Sequence, residues 1–272
     1  MSYNSPELGL NEATSRIEPL RMKYSICVTH YNNRQTVETS LNHILGQVPH
    51  ECELIVVDQM SDDGSREILE RYDRAGLIRL YLQPVKNRGL GRQYAFERSS
   101  GEYIISSVDM DDEMKPLLRQ AIGFYHKFFE GDFMLMTGFS IAPRKLIEEI
   151  GGWRDLQCHQ DWDIWMRAAA IKKFVFVPFD IDQFRTSHSA RGARFLLRHQ
   201  YEKARDMFRL GRNPLKREGR RLPPYLLTVA VTPAAYVRSR FMQRFEPAIK
   251  GFETNDYAVE VDFEKFAASN AN

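Results

Sequence analysis

Residues 102–112 have the sequence EYIISSVDMDD, in which a short apolar run ends in three aspartates. The run is typical of a buried β-strand, and Pro116, four residues after it, suits the first turn of a helix. The carboxylates therefore lie where a strand ends and the chain turns. Oxygen ligands on such a loop suit Mg²⁺ or Mn²⁺, above all when a substrate phosphate completes the coordination. A solvated acidic turn that caps the following helix is the alternative.

Strand-like and helix-like patterns alternate along the chain before this segment. Apolar runs at 24–29, 54–57 and 77–82 predict three further strands. Apolar residues at helical spacing between them predict helices. Such alternation predicts an α/β fold with a mostly parallel, doubly wound sheet flanked by helices. Ligands of these sheets bind beyond the carboxyl ends of the strands, so we expect the polar loops after strands one, two and four to meet there.

Composition excludes several classes of protein. The 272 residues include 38 basic and 36 acidic side chains, a balance that does not favour nucleic acid as a partner. Residues 1–22 are polar and interrupted by proline and glycine, which predicts a loose leader and not a signal peptide. No apolar run reaches the roughly 18 residues of a transmembrane helix. The three cysteines lack metal-type spacing and fit a reducing compartment, so we expect a cytoplasmic protein.

Several segments, taken in order, resemble family 2 glycosyltransferases, which have the GT-A nucleotide-sugar-binding fold. Segment 25–32 resembles the family's first strand, and 56–65 resembles its Val-Asp-Asp-Gly-Ser-x-Asp-Gly-Thr. Segment 108–112 is close to the family's Asp-Ala-Asp-Asp. Segment 160–167 resembles its Glu-Asp-x-Asp-Leu-x-x-Arg helix, and 184–189 its Tyr-Arg-x-His, which closes over the diphosphate.

The match divides the chain into three expected parts. It runs from about residue 24 to about residue 190, so the predicted GT-A catalytic domain spans 23–192. The leader occupies 1–22. The remainder, 193–272, is predicted to be a helical and partly basic C-terminal extension.

The resemblance implies an inverting, metal-dependent transfer of a sugar from a nucleotide-diphosphate sugar to a hydroxyl of a glycan or lipid-linked acceptor. Asp161 would be the general base, and a single base without a covalent nucleophile implies inversion. The divalent cation, Mn²⁺ or Mg²⁺, would be bound by Asp111, with His188 at its edge. The residues implied to bind the nucleotide-sugar are Thr29, Tyr31, Asn32, Asp58, Ser61, Asp63, Arg92, Asp109 and Arg185. Those implied on the acceptor side are Gly138, Trp153, Gln160 and Trp162.

Several of these residues also have a purely structural interpretation. Asp63 precedes a glycine, and Asp-Gly is an ordinary turn former. Arg92 could be a solvated charge at the start of a helix, and Asp161 could be an N-terminal cap. His188 lies in a polar run that could bind a diphosphate or form a solvated loop.

Two other functions remain open. Substitutions in the family motifs at His30, Gln59, Met60 and Gln160 are compatible with a non-catalytic nucleotide-sugar-binding protein. A sugar-phosphate nucleotidyltransferase needs a glycine-rich, arginine-containing loop after the first strand, which segment 30–34 does not supply.

The C-terminal extension combines basic and apolar residues. Between residues 209 and 244, arginines and lysines bracket an apolar stretch, 222–237, that contains three prolines. This arrangement suits the interface of an anionic membrane, which would bring the enzyme to a lipid-linked acceptor. A helical appendage packed on the catalytic domain is the alternative.

Overall fold

The structure, a computed structural model, describes residues 23–110, 113–183, 193–215 and 222–270. In these residues the strands are, in chain order, β1 (Tyr24–His30), β2 (Cys52–Asp58), β3 (Arg79–Leu82), β4 (Tyr103–Ser106), β5 (Glu113–Met114), β6 (Phe133–Thr137), β7 (Phe139–Pro143), β8 (Phe174–Asp180) and β9 (Asp182–Gln183). The helices are α1 (Val37–Leu45), α2 (Ser65–Arg74), α3 (Arg88–Arg98), α4 (Leu118–Phe128), α5 (Arg144–Glu149), α6 (Gln160–Ala170), α7 (Ala193–Arg209), α8 (Leu222–Ser239) and α9 (Phe263–Ser269).

Seven strands form one sheet in the order β3-β2-β1-β4-β7-β6-β8, and β5 pairs with β9 separately. The pairs β3–β2, β2–β1, β1–β4 and β6–β8 are parallel, whereas β7 is antiparallel to both of its neighbours. The predicted mostly parallel, doubly wound sheet is therefore confirmed. The strand order reverses between β1 and β4: β2 and β3 lie on one side of β1, and β4 lies on the other. Such sheets bind their ligands at this reversal.

Alternate residues of the central strands serve two cores on opposite faces of the sheet, as the twofold period of a strand requires. On one face Ile26 and Val56 pack in a cluster with Leu41 of α1. On the other face Cys27 lies in a cluster with Ala95 of α3. The helices on both faces hold the sheet rigidly, so the loops at its carboxyl edge have fixed starting points.

Two helices begin at other positions than the sequence indicated, and a third contains a proline. Helix α3 begins at Arg88, because the Asn87 side chain accepts a hydrogen bond from the Leu90 backbone N–H and caps the helix early. Pro116 lies in a turn, and α4 begins only at Leu118. Helix α8 continues through Pro233, although proline removes one backbone hydrogen bond there.

The C-terminal extension packs on the rest of the chain. Helices α7 and α8 share a small cluster of apolar residues. The Asp206 carboxylate accepts hydrogen bonds from the Gln157 and Cys158 backbone N–H groups, at 2.7 and 2.9 Å. Farther on, Phe252 is buried against Phe174. These contacts fix α7 beside the loop that precedes α6.

Candidate functional site

A cavity of about 540 Å³ opens at the carboxyl edge of the sheet. It lies beyond the ends of β1, β2 and β4, and its other walls come from the first turn of α6 and from α7. Of the residues that the sequence assigned to the site, it is lined by Thr29, Tyr31, Asn32, Arg92, Asp109, Gln160 and Asp161. Four separate segments of sequence therefore meet at one place, as expected for this sheet.

Arg92 connects the two carboxylates most important to the expected chemistry. Its Nη1 lies 2.6 Å from Asp161 Oδ1, and its Nη2 lies 3.5 Å from Asp109 Oδ1. The Arg92 side chain is only 5% exposed, whereas that of Asp109 is 55% exposed. Arg92 Nε is buried without a hydrogen-bond partner among the described residues. The interpretation of Arg92 as a solvated charge is therefore wrong, because the guanidinium is a buried bridge.

Two glycines allow α3 to approach its neighbours and bring Arg92 to the cavity. A Cβ on Gly89 would lie 2.0 Å from the Arg154 carbonyl oxygen, and one on Gly91 would lie 2.5 Å from Thr29 Cγ2. The Gly89 N–H also donates to the Leu156 carbonyl, at 3.0 Å. Close packing of α3 against the 154–156 segment therefore requires a residue without a side chain at position 89, and its close packing against Thr29 requires one at position 91.

Asp161 lies in the first turn of α6, where the helix dipole favours a carboxylate. Its Oδ2 accepts a hydrogen bond from Gln160 Nε2 at 3.2 Å. Asp163, two residues on, is fully buried and forms ion pairs with Arg154 and Arg167. The two acidic residues of this turn thus have different environments: Asp161 lines the cavity, and Asp163 holds α6 to the preceding loop.

Asp58 lies behind the cavity wall. The carboxylate is fully buried. Its Oδ1 lies 3.0 Å from His30 Nδ1 and accepts a hydrogen bond from Ser61 Oγ at 2.5 Å, and its Oδ2 lies 3.3 Å from Arg66 Nε. Burial alone would raise the pKa of Asp58, but hydrogen bonds from His30 and Ser61 outweigh it and hold the pKa below its usual range. In this arrangement Asp58 and Ser61 fix the loop after β2.

Asp63 lies in the same loop and does not line the cavity. Its carboxylate accepts hydrogen bonds from the backbone N–H groups of Arg34 and Ser65, at 2.9 and 3.0 Å. Gln59 links the loop to the next one, because its Nε2 donates to the Asn87 carbonyl at 2.6 Å and to Gln83 Oε1 at 2.9 Å. Turn chemistry accounts for the position of Asp63.

The residues assigned to the acceptor side lie in different places. Gln160 lines the cavity. Trp153 is buried against Phe96. Trp162 packs against Phe252 and under the Arg212 guanidinium, and it lines a different pocket. Gly138 forms the tight turn between β6 and β7 with a positive φ of 78°.

The expected metal ligands fall largely outside the described residues. Asp111, Arg185 and His188 lie outside them. Within the described ranges no group of three His, Cys, Asp or Glu side chains could hold a metal ion. Asp109, with its exposed carboxylate at the cavity, is the member of the acidic motif whose position is described.

The sequence did not reveal the wall contributed by α7. Phe195, Arg198, His199 and Glu202 line the cavity, and the Phe195 ring stacks parallel to the His199 ring. The C-terminal extension was predicted to be helical, but the sequence does not show which sheet edge its helices cover. Lys86, Arg88 and Gln157 also line the cavity and come from loops that the sequence analysis did not assign to the site.

Known proteins resemble this chain in sequence and in fold. The model of glycosyl transferase family 2 matches residues 25–133. TuaG of Bacillus subtilis (strain 168), named as a glycosyltransferase of teichuronic acid biosynthesis, is 32% identical over 34% of this chain and 36% of its own. TarS of Staphylococcus aureus, a poly(ribitol-phosphate) β-N-acetylglucosaminyltransferase, is 31% identical over 38% of this chain and 19% of its own.

Solved structures extend the likeness of fold beyond the matched segment. TarS residues 1–349, in complex with UDP-GlcNAc, superpose with a TM-score of 0.52 and 18% identity, over 81% of this chain and 73% of theirs. The mannosyltransferase PcManGT of Pyrobaculum calidifontis, in complex with GDP-Man and Mn²⁺, superposes with a TM-score of 0.54 and 16% identity, over 92% of this chain and 80% of its own.

The sequence matches are partial, since TuaG and TarS are matched over about a third and a fifth of their own lengths. The family model nevertheless covers β1 to β4, which include the three strands whose ends form the cavity. The seven-stranded sheet has the architecture of the GT-A structures that it resembles. Residues 25–133 therefore match glycosyl transferase family 2, and the described sheet has the GT-A fold.

Proposed function

We propose that this protein transfers a sugar, with inversion, from a nucleotide-diphosphate sugar to a hydroxyl of a glycan or lipid-linked acceptor. The observation that carries the proposal is the bridge Asp109–Arg92–Asp161 at the cavity. It places a carboxylate at the expected donor side and a carboxylate in a helix N-terminus within reach of one buried guanidinium. Relatives of similar fold bind UDP-GlcNAc and GDP-Man, which supports a nucleotide-sugar as the donor.

Each member of the bridge has a distinct proposed role. Asp161 accepts the proton of the acceptor hydroxyl as that oxygen attacks the anomeric carbon. Arg92 orients Asp161 and Asp109 relative to each other, because its planar guanidinium fixes both oxygens at once. When donor binds, the buried Nε of Arg92 and the nearby cationic side chains Lys86 and Arg88 are positioned to stabilise phosphate oxygens.

A divalent cation would stabilise the negative charge that grows on the leaving diphosphate. Asp109 is proposed as one of its contacts, together with Asp111 and His188, which lie outside the described residues. The fit rests on chemistry: the Asp109 carboxylate is a hard oxygen ligand, more than half exposed at the cavity. One or two such carboxylates suffice for a cation whose other ligands are substrate phosphates and water.

The test is Asp161→Asn, assayed with a panel of UDP-, GDP- and dTDP-sugars for release of nucleoside diphosphate. We expect transfer to fall at least about a hundredfold, the lower end of the contribution of a general base, while nucleotide affinity changes little. Asp132→Asn is the matched control, because Asp132 is also partly exposed and also ion-paired, with Lys173 at 3.1 Å. Normal turnover by Asp161→Asn would show that the base lies elsewhere.

The same assay separates a second function, that of a non-catalytic nucleotide-sugar-binding protein. The observation in its favour is that both Asp161 oxygens already accept hydrogen bonds, from Arg92 and Gln160. Under this alternative the wild-type protein binds nucleotide but releases none from any donor of the panel.

A further inference from the structure

Helix α8 has small residues on the side that packs on α7 and large apolar residues on the side that is exposed. The side that packs on α7 carries Thr228, Val231, Ala235 and Ser239, which recur every three or four residues and are all buried. Small side chains of this kind let two helices approach closely. The contact with α7 therefore leaves most of the large apolar side chains of α8 exposed.

The opposite side of α8 exposes large apolar side chains. Leu226, Val229 and Val237 recur at helical spacing, and Phe241 follows just beyond the end of the helix. Leu226 is 59% exposed and Phe241 is 79% exposed. We call these four residues the α8 apolar face. A row of large apolar side chains in water is unfavourable and is typical of an interaction surface.

The charges that flank the α8 apolar face in the sequence are mainly positive. No acidic residue occurs between positions 219 and 245 of the sequence, whereas Arg238, Arg240 and Arg244 lie at and beyond the C-terminal end of the helix. All three arginines are exposed. Four cations and one anion, Glu218, precede the helix in the sequence; the cations are Lys216, Arg217, Arg220 and Arg221. An anionic lipid bilayer has an apolar acyl region covered by anionic headgroups. Apolar residues with cations at both ends of the stretch complement such a surface.

We propose that the α8 apolar face docks on an anionic lipid bilayer, with the helix lying in the plane of the membrane surface. Among the described helices none is long and apolar enough to cross a membrane. The apolar side chains enter the acyl boundary, and Arg238, Arg240 and Arg244 contact lipid phosphates. This inference goes beyond the proposed function and does not depend on it.

The docking face is connected to the cavity through α7. Thr228 Oγ1 of α8 lies 3.3 Å from Gln200 Oε1 of α7, and Ala204 of α7 shares a cluster with Val231 and Ala235. The first half of α7, which contains Phe195 and His199, lines the cavity. Docking of α8 would therefore bring the α7 wall of the cavity close to the membrane surface.

The test is co-sedimentation of the full chain, without nucleotide, with vesicles of phosphatidylcholine alone or mixed in equal parts with phosphatidylglycerol. We expect binding to the mixed vesicles, weakened by salt. The double variant Val237→Glu/Phe241→Glu should bind at least about tenfold more weakly, because it replaces inserted side chains by anions. The triple variant Arg238→Gln/Arg240→Gln/Arg244→Gln should lose the preference for phosphatidylglycerol while it keeps the apolar side chains.

The matched control is Leu77→Glu/Leu82→Glu, which places the same charges on two exposed leucines at and before β3, on the far edge of the sheet. It should bind vesicles like the wild type. Circular dichroism and thermal unfolding establish that each variant is folded. Equal loss in the control variant, or no binding of the wild-type protein to mixed vesicles, would overturn the proposal. A wild-type dimer that Val237→Glu/Phe241→Glu converts to monomer, without vesicle binding by either, would assign the face to self-association instead and also overturn it.

Discussion

Arg92 is the residue on which the geometry of the site depends most. It is buried, and it contacts carboxylates that lie 17 residues away in the β4 loop and 69 residues away in α6. A planar guanidinium can hold two carboxylates in fixed relative positions, whereas an ammonium group is a compact charge that cannot. Arg92 is therefore a positioning residue whose shape matters as well as its charge.

Replacing Arg92 by lysine tests this role. We expect Arg92→Lys to reduce the transfer rate at least about tenfold, because misplaced reacting groups lose much of the advantage of orientation. The control is Arg79→Lys, which alters an ion pair with Glu53 away from the cavity. Steady-state kinetics at saturating donor measures both. Wild-type rates in Arg92→Lys would show that charge alone is enough.

Asp58 gives a prediction for stability as a function of pH. Its pKa in the folded protein is lower than the value of about 3.9 in unfolded chains. The folded state therefore favours the ionised form of Asp58. The resulting stabilisation of the fold is complete above about pH 4 to 5 and is lost as the pH falls through the folded-state pKa. We expect Asp58→Asn to lower the free energy of unfolding by about 3 kcal/mol at neutral pH, and by less at acid pH.

Urea unfolding of the wild type and of Asp58→Asn, at neutral pH and at about pH 3, measures the difference in their free energies of unfolding. The exposed Asp256 supplies the control, because Asp256→Asn should leave the free energy of unfolding almost unchanged at either pH. A difference between wild type and Asp58→Asn that stays constant with pH would contradict the assignment.

At the scale of elements, the packing of α3 against the 154–156 segment sets the distance between Arg92 and Asp161. Gly89 is the contact point, with the Arg154 carbonyl oxygen 2.0 Å from where a Cβ would lie. Gly89→Ala must displace backbone, so we expect it to lower the free energy of unfolding by more than about 2 kcal/mol. Gly123→Ala in α4 is the matched control, since its Cβ would meet a single atom, Phe266 Cζ, at 3.9 Å.

Chemical denaturation of both glycine variants is the measurement. Gly123→Ala should be neutral or stabilise the protein by up to about 1 kcal/mol, because alanine favours a helix interior. Equal stability of Gly89→Ala and Gly123→Ala would mean that the 154–156 segment is not packed closely on α3.

The elements were predictable where a local pattern specifies them. Strands β1, β2 and β4 follow from apolar runs, and the position of Asp109 at the carboxyl edge follows from the doubly wound topology. The place of Asp161 in the site was implied by the family resemblance. The bridge through Arg92 was not predictable, because its partners are distant in sequence. Asp58 and Asp63 occur in a loop that matches the family motif, but the sequence does not show that their hydrogen bonds are internal.

At the scale of the whole molecule, the C-terminal extension completes the site. Buried Arg209 lies within ion-pair distance of Asp155 and Asp206, at 3.2 and 3.5 Å, and so ties α7 to the loop before α6. The same helix carries α8 and its apolar face. If both proposals hold, the membrane surface and the cavity are joined by one helix pair, an arrangement that suits an acceptor attached to lipid.

The central claim is that the cavity beyond β1, β2 and β4 binds a nucleoside diphosphate together with a divalent cation. Isothermal titration calorimetry with UDP, GDP and dTDP, each with and without Mn²⁺, tests it most directly, with Asp109→Asn as the variant. The account predicts that one of these nucleotides binds at least about tenfold more tightly with Mn²⁺, and that Asp109→Asn loses this gain. A folded wild-type protein that binds none of the three nucleotides, with or without Mn²⁺, would contradict it.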